Sequence, residues 1–320
     1  MGDAILDTFR PEANVSISDR WLAPIHPVTV LLNRTALRNL SRYRRFYENH
    51  WRVVRARVGV GKYPLQAVLR AGGTVHIPSD RVAQLYASER LVPHPESDSV
   101  SVRFGGREWE IHRGWSTGDI HGVFVEEVYR PMPVEGKVVI DVGGSIGDSP
   151  IYFAARKARK VVALEPWPST YKTLVENVAV NHLESVIVPM NVALGAAPGT
   201  LRLDDQFEEA QHAQIRSYSS GTEVPVVSLA SLVETHGIED GILKLDCEGG
   251  EYDALLHSPP EVIRRFSHIQ AEYHYGYQNI AKALRDAGFR VRYDRPYRTV
   301  NRVLEHPVLW MGNLYADRVG

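Results

Sequence analysis

From about residue 131 onward, two hydrophobic rhythms alternate along the chain. Short apolar or period-two runs predict strands near 137–142, 160–165, 185–191, 242–246, 268–273, 289–293 and 308–315. Between them, apolar positions recur at helical spacing over 149–158, 169–182, 228–236, 251–256 and 278–287. Such alternation predicts an α/β fold: a seven-stranded, mostly parallel sheet with helices on both faces. Local punctuation agrees. "GDSPIYFAARK" offers Asp148 or Ser149 as a helix cap and Pro150 in the first turn, where a missing N–H is harmless. "ALRDAGF" stops a helix at Gly288. The last segment, "VLWMGNLYADR", is expected to join as an antiparallel edge strand.

The part before it reads differently. Leu37, Leu40, Tyr43, Tyr47, Trp51 and Val54 recur at three- and four-residue spacing and predict one amphipathic helix. "VSVRFGGREWEI" predicts a β-hairpin turning at Gly105-Gly106. The expected organisation is an N-terminal extension or cap over 1–130, helix plus hairpin, and a main domain over 131–320.

Composition narrows the classes. The 320 residues are 44% hydrophobic, enough for a core, and the formal charge of −1 argues for neither nucleic acid nor an acidic substrate. A single cysteine, Cys247, excludes an intramolecular disulfide and fits a reducing compartment. With no leader pattern and no long apolar run, the expectation is a cytoplasmic protein without a transmembrane segment.

The candidate chemistry sits at strand ends. In "VVIDVGGSIGDSPIYF" an apolar strand ends on Asp141, and Gly143, Gly144 and Gly147 form a turn into a helix. Glycines there let backbone approach a ligand in the crevice beyond the strand ends. The pattern is not the dinucleotide fingerprint G-x-G-x-x-G. "GVGKY" is no phosphate loop, because Tyr63 follows Lys62 where Ser or Thr would hold magnesium. The next strand ends on Glu165, which could accept hydrogen bonds from both hydroxyls of a ribose. A nucleoside cofactor lacking pyrophosphate therefore fits better than NAD. Asn191, ending the third strand, could pair with an adenine edge or simply cap the strand.

A second group follows in "ILKLDCEGGEYDALL", where Asp246 closes the fourth strand and Glu248 and Glu251 come soon after. Glu251 could instead be a helix N-terminal acid. Lys244 is unusual in so apolar a strand and either meets substrate or pairs with an acid. The fifth strand ends in "HIQAEYHYGY", with Glu272 and His274 on one side. A histidine there could take a hydroxyl proton. Asp246, Glu248, Glu272 and His274 also form an oxygen-rich set able to hold a hard divalent metal ion.

The chain resembles the FkbM family of S-adenosylmethionine-dependent methyltransferases, with a class I Rossmann-like fold. The resemblance runs through "FVEEVYR", "VVIDVGGSIGDSPIYFA", "VVALEPWPSTYKTLVENVAVN", "LKLDCEGGEYDAL" and "AEYH", in family order. It implies that residues 131–320 bind S-adenosyl-L-methionine, with Asp141, Gly143 and Gly147 near its methionine side and Glu165 on its ribose. The family commonly has Ala-Asn where this chain has Gly144-Ser145. The implied reaction is O-methylation of a small-molecule or glycan acceptor: a sugar, glycolipid or secondary metabolite. Asp246 or His274 is the expected base, and Glu248, Glu251 and Glu272 are expected to shape the acceptor pocket. Residues 1 to about 115 lie outside the resemblance.

Two rivals follow from other features. Arg34, Arg38, Arg42, Arg44, Arg45, Arg52, Arg55 and Arg57, against Glu48 alone, could grip RNA phosphates or anionic lipid headgroups. Against an RNA or tRNA methyltransferase, no N-P-P-[YF]-like segment follows the fourth strand. The other rival is an inactive Rossmann-like scaffold. Acceptor choice is expected to rest on the first part, on "LDDQFEEA" and on "RSYSSG".

Overall fold

The computed structural model describes residues 34–203, 221–300 and 308–320. Nearly all of "LDDQFEEA" and "RSYSSG" lies outside these residues. Backbone contacts divide the described chain into two compact units, one up to Val128 and one from Tyr129.

In the first unit the predicted single helix is cut in two, α1 (Arg34–Phe46) and α2 (His50–Arg57). The cause is pairing with strand β1 (Leu65–Val68). Glu48 N–H donates to Val68 O at 2.9 Å, and Asn49 Oδ1 accepts from Val68 N–H at 2.9 Å. These bonds replace the helical pattern and shift the phase of the buried face. Tyr43 and Tyr47 are buried as expected, but Val53 and Ala56 take the inner positions and Trp51 is 61% exposed. Strand β1 pairs antiparallel with β2 (Thr74–Ile77), and Ser79 caps the short helix α3 (Asp80–Tyr86) by accepting from Val82 N–H. Strands β3 (Leu91–His94), β4 (Ser99–Phe104) and β5 (Arg107–His112) form an antiparallel sheet. The predicted hairpin is β4–β5, with Gly105 and Gly106 both at positive φ.

Three arginines of the basic run form internal pairs. Arg42 meets Glu126 at 2.7 Å, Arg45 meets Glu89 at 2.5 Å, and Arg57 meets Asp80. Arg44, Arg52 and Arg55 remain exposed.

The second unit begins its sheet with β6 (Val138–Val142), five residues buried without exception. Helix α4 (Asp148–Ala155), strand β7 (Lys160–Leu164), helix α5 (Pro168–Val180) and strand β8 (Ile187–Met190) follow in the predicted order. A small sheet comes next, of β9 (Ala193–Leu194), β10 (Gly199–Leu203) and β11 (Thr222–Val227). Its period is too short to read from sequence, and Pro225 argues against a strand. Then come α6 (Leu229–His236), β12 (Gly241–Leu245), α7 (Gly250–His257), the short α8 (Pro260–Ile263) and β13 (Phe266–Tyr273). The chain closes with α9 (Gln278–Asp286), β14 (Phe289–Tyr293), β15 (Tyr297–Val300) and β16 (Val308–Arg318).

The main sheet has the order β14-β16-β13-β12-β6-β7-β8. From β13 to β8 neighbouring strands are parallel, and β16 is antiparallel to both β13 and β14. The last strand is therefore interior, not at the edge as expected. Leu309, Met311, Leu314 and Ala316 are buried with it, which an edge would not require. Strand order reverses between β6 and β12, the place where such sheets open a ligand crevice. No helix among the described residues is long and apolar enough to cross a membrane.

The two central strands come unusually close at their C-terminal ends. A Cβ on Gly143, whose φ is +78°, would lie 1.9 Å from Asp246 O. Gly143→Ala is expected to lower unfolding free energy by about 2–4 kcal/mol, from backbone strain and overlap. Gly144→Ala, with an ordinary φ, should stay within about 1 kcal/mol. Urea denaturation of the two variants checks the contrast.

Candidate active site

Asp141 of β6 and Lys244 of β12 are register partners. Lys244 Nζ lies 3.0 Å from Asp141 Oδ1, with both side chains essentially inaccessible. Lys244 also donates to Gly143 O at 2.7 Å and Val142 O at 3.1 Å, while Ser149 Oγ donates to Asp141 Oδ2 at 2.7 Å. Burial alone would pull the ammonium pKa down, but Asp141 and Asp246 outweigh it and hold Lys244 charged. Of the two places the sequence offered Lys244, substrate or an acid, the structure shows the acid, Asp141. The pair is buried beneath the glycine turn and shapes it. Gly147, at φ +100°, ends that turn as the residue before α4.

The end of β7 is built onto the same turn. Gly143 and Gly144 N–H donate to Leu164 O at 3.0 and 2.8 Å. Glu165 Oε2 accepts from Ser145 N–H at 3.0 Å and Oε1 from Trp167 N–H at 2.9 Å. Burial outweighs these two bonds and pushes its carboxyl up to about 7. Asn191 Nδ2 donates to the carbonyls of Glu165 and Pro166, each at 2.9 Å. Its amide nitrogen thus clamps the β7–α5 corner, leaving only the side-chain oxygen for the expected adenine contact.

Across the switch point stands a cluster of acids around one imidazole. Asp246 follows β12, its N–H bonded to Val142 O at 3.1 Å, and it is half-buried. Tyr129 OH donates to Asp246 Oδ2 at 3.4 Å. Glu272, on β13, shares a hydrogen bond with Asp246. Burial and the Asp246 charge drive its carboxyl well above the usual range. His274 is 1% exposed. Its Nδ1 bonds Glu251 Oε1 at 2.8 Å, and its Nε2 lies 3.2 Å from Glu248 Oε2 without an aligned hydrogen bond. Burial opposes the imidazolium, but Glu248 and Glu251 raise its pKa well above the ordinary value.

Glu251 is fully buried in the first turn of α7, the helix-start place that the sequence offered as the alternative to the acceptor pocket. Besides His274 it accepts from Gly249 N–H at 2.9 Å, tying the start of α7 to the end of β13. Glu248 sits in the left-handed region at φ +54° beside Gly249, which turns its side chain back toward His274. The structure thus brings Asp246, Glu248, Glu272 and His274 together, and sets Gly143 against Asp246. Tyr129 was not predicted as a site residue; only its place in "FVEEVYR" marked it.

Two outcomes follow from these environments. Lys244→Met strands the Asp141 carboxylate in the core and is expected to cost about 3–5 kcal/mol. The double variant Lys244→Met/Asp141→Asn should recover at least half of that in the same denaturation assay. For Glu165, the folded value of about 7 lies above the ordinary 4.5. This group therefore favours the folded state below pH 4.5, and about 3 kcal/mol of that contribution is lost as pH rises through 7. Glu165→Gln should flatten that part of the pH–stability profile of the ligand-free protein.

Residues 141–291 match the model described as the methyltransferase FkbM domain. No curated protein matches the chain significantly. Among solved structures, precorrin-8w decarboxylase from Methanobacterium thermoautotrophicum is similar at 16% identity, covering 61% of this chain and 89% of that one, with a TM-score of 0.36. A precorrin-6y methyltransferase from Geobacter metallireducens is similar at 11% identity, with 59% and 84% coverage and a TM-score of 0.35. A tRNA methyltransferase from M. jannaschii gives 9% identity, 85% and 67% coverage and a TM-score of 0.38. Likenesses this low carry no argument about substrate or mechanism. The domain match covers the glycine turn, Glu165 and the whole acid cluster, and through it residues 141–291 are assigned to the methyltransferase FkbM family.

Proposed function

We propose that the protein methylates a hydroxyl oxygen of a sugar, glycolipid or secondary metabolite. The observation that carries this reading is the acid cluster at the ends of β12 and β13, held against the glycine turn by the contact of Gly143 with Asp246 O. The residues present suit an adenosyl cofactor. Each Glu165 oxygen accepts one backbone N–H and keeps a lone pair that can receive a ribose hydroxyl. Gly143, Gly144 and Gly147 put no side chain between the turn and the crevice.

When bound, the cofactor supplies an electrophilic methyl group, so the protein's own work is to orient the acceptor and take its proton. Asp246 suits the second task better than His274. It is half-buried, whereas both ring nitrogens of His274 face carboxylates and leave no open side for a hydroxyl. Glu272 and Tyr129 bracket Asp246 and orient its carboxylate. The surrounding acids disfavour a polyanion in the acceptor position, and the internal pairs of Arg42, Arg45 and Arg57 reduce the charge available for RNA.

Calorimetric titration with S-adenosylhomocysteine tests the cofactor half. One-to-one binding is expected, weakened about 10- to 100-fold in Glu165→Ala by the loss of two hydrogen bonds. For the chemical half, Asp246→Asn should lower methyl transfer at least about 100-fold while leaving that affinity within a few-fold. Folded Asp246→Asn with undiminished turnover would sink the assignment of the base.

A further inference from the structure

We infer that Asp246, Glu248 and His274 form a binding site for a divalent cation of the manganese type. One donor atom from each lies within 4.8 Å of the other two. An ion about 2.1 Å from each ligand needs them about 4.2 Å apart at most, so shifts of a few tenths of an ångström per side chain would close the set. Two carboxylates alone would be an ordinary acidic corner. The independent observation is the imidazole. His274 is 1% exposed, and its Nε2 has no hydrogen-bond partner although it points at the two acids.

The surroundings match what a ligating histidine requires. Glu251, itself inaccessible, takes the Nδ1 side at 2.8 Å, which fixes the ring and turns the Nε2 lone pair inward. Glu272 stands behind Asp246 in the same way. The positive φ of Glu248 is a backbone strain that brings a second carboxylate to the ring, and a cation between them would give that strain a purpose. The donors are two oxygens and one imidazole nitrogen. Cys247 Sγ is turned to Glu251 instead, so no thiolate joins them. That set excludes thiolate-seeking ions and is poor for calcium, which prefers oxygen throughout; manganese accepts both donor types. Three protein ligands leave up to three octahedral positions for water or for neighbouring hydroxyls of an acceptor.

The inference concerns the site of the proposed methyl transfer but does not depend on the acceptor. Protein stripped with EDTA would be titrated with Mn²⁺ by calorimetry and by loss of the free-ion electron paramagnetic signal. The S-adenosylhomocysteine titration would run in parallel. One Mn²⁺ per chain is expected, with affinity at least about 30-fold weaker in Glu248→Gln and in His274→Asn. Glu248 is partly exposed on a loop, so its variant should stay folded, and its melting temperature, read without Mn²⁺, separates loss of the His274 pair from loss of the ion. No Mn²⁺ uptake by protein that still binds S-adenosylhomocysteine overturns the ion site and leaves the cofactor reading standing. Uptake that neither substitution weakens also overturns it. Mn²⁺ uptake without S-adenosylhomocysteine binding supports the ion site and removes the methyl-transfer reading.

Discussion

The site depends on one buried ion pair. Taking Lys244 and Asp141 out of water carries a desolvation penalty of several kcal/mol per ion, which their attraction alone does not reliably offset. Further hydrogen bonds support the pair: Ser149 serves the carboxylate, and the carbonyls of Val142 and Gly143 serve the ammonium. Those two carbonyls belong to the last residue of β6 and the first glycine of the turn. Satisfying the lysine thus fixes the path of the turn. It also brings the end of β6 against β12 so closely that only glycine fits beneath Asp246 O. The position of Asp246 in the crevice is set from below.

A second tie positions the other acids. Glu251 bonds the His274 ring at one oxygen and accepts from Gly249 N–H at the other, so the start of α7 and the end of β13 move as one. Between these two ties the chain passes through Cys247, Glu248 and Gly249, too short a bridge to wander. The result is an arrangement in which Glu272 backs Asp246 and Glu248 faces the His274 ring at 3.2 Å.

Much of this is legible in the sequence, and the failures have physical causes. Strands β6, β7, β8, β12 and β13 lie inside the sheet or against its helices, so their apolar runs are nearly unbroken and their ends stand out as polar residues. Asp246, Glu165 and His274 are recognisable that way. Burial of a polar residue within or beside a strand is not visible in one dimension. For Lys244 and Glu251 the sequence therefore leaves a ligand contact and an internal role both open, and the structure shows the internal partners. The helix break at Tyr47–Asn49 comes from hydrogen bonds to β1, seventeen or more residues on, which local periodicity cannot contain. The interior place of β16 escapes sequence reading for the same reason: pairing partners are chosen by the sheet, not by the strand.

The two sides of the crevice have complementary electrostatic characters, and the proposed reaction uses the difference. The Glu165 side is built from backbone groups and one carboxyl. The Asp246 side carries Glu248, Glu251 and Glu272 as well, balanced by one imidazole. With a sulfonium cofactor bound, which would supply the methyl group and give up its positive charge, Asp246 would lose its negative charge on taking the acceptor's proton. The two changes would offset each other within the crevice. The excess of acids behind Asp246 would by itself hold the cationic reactant too well and oppose the transfer. A divalent ion among Asp246, Glu248 and His274 would cancel that excess, and would let an acceptor hydroxyl approach an otherwise repulsive corner.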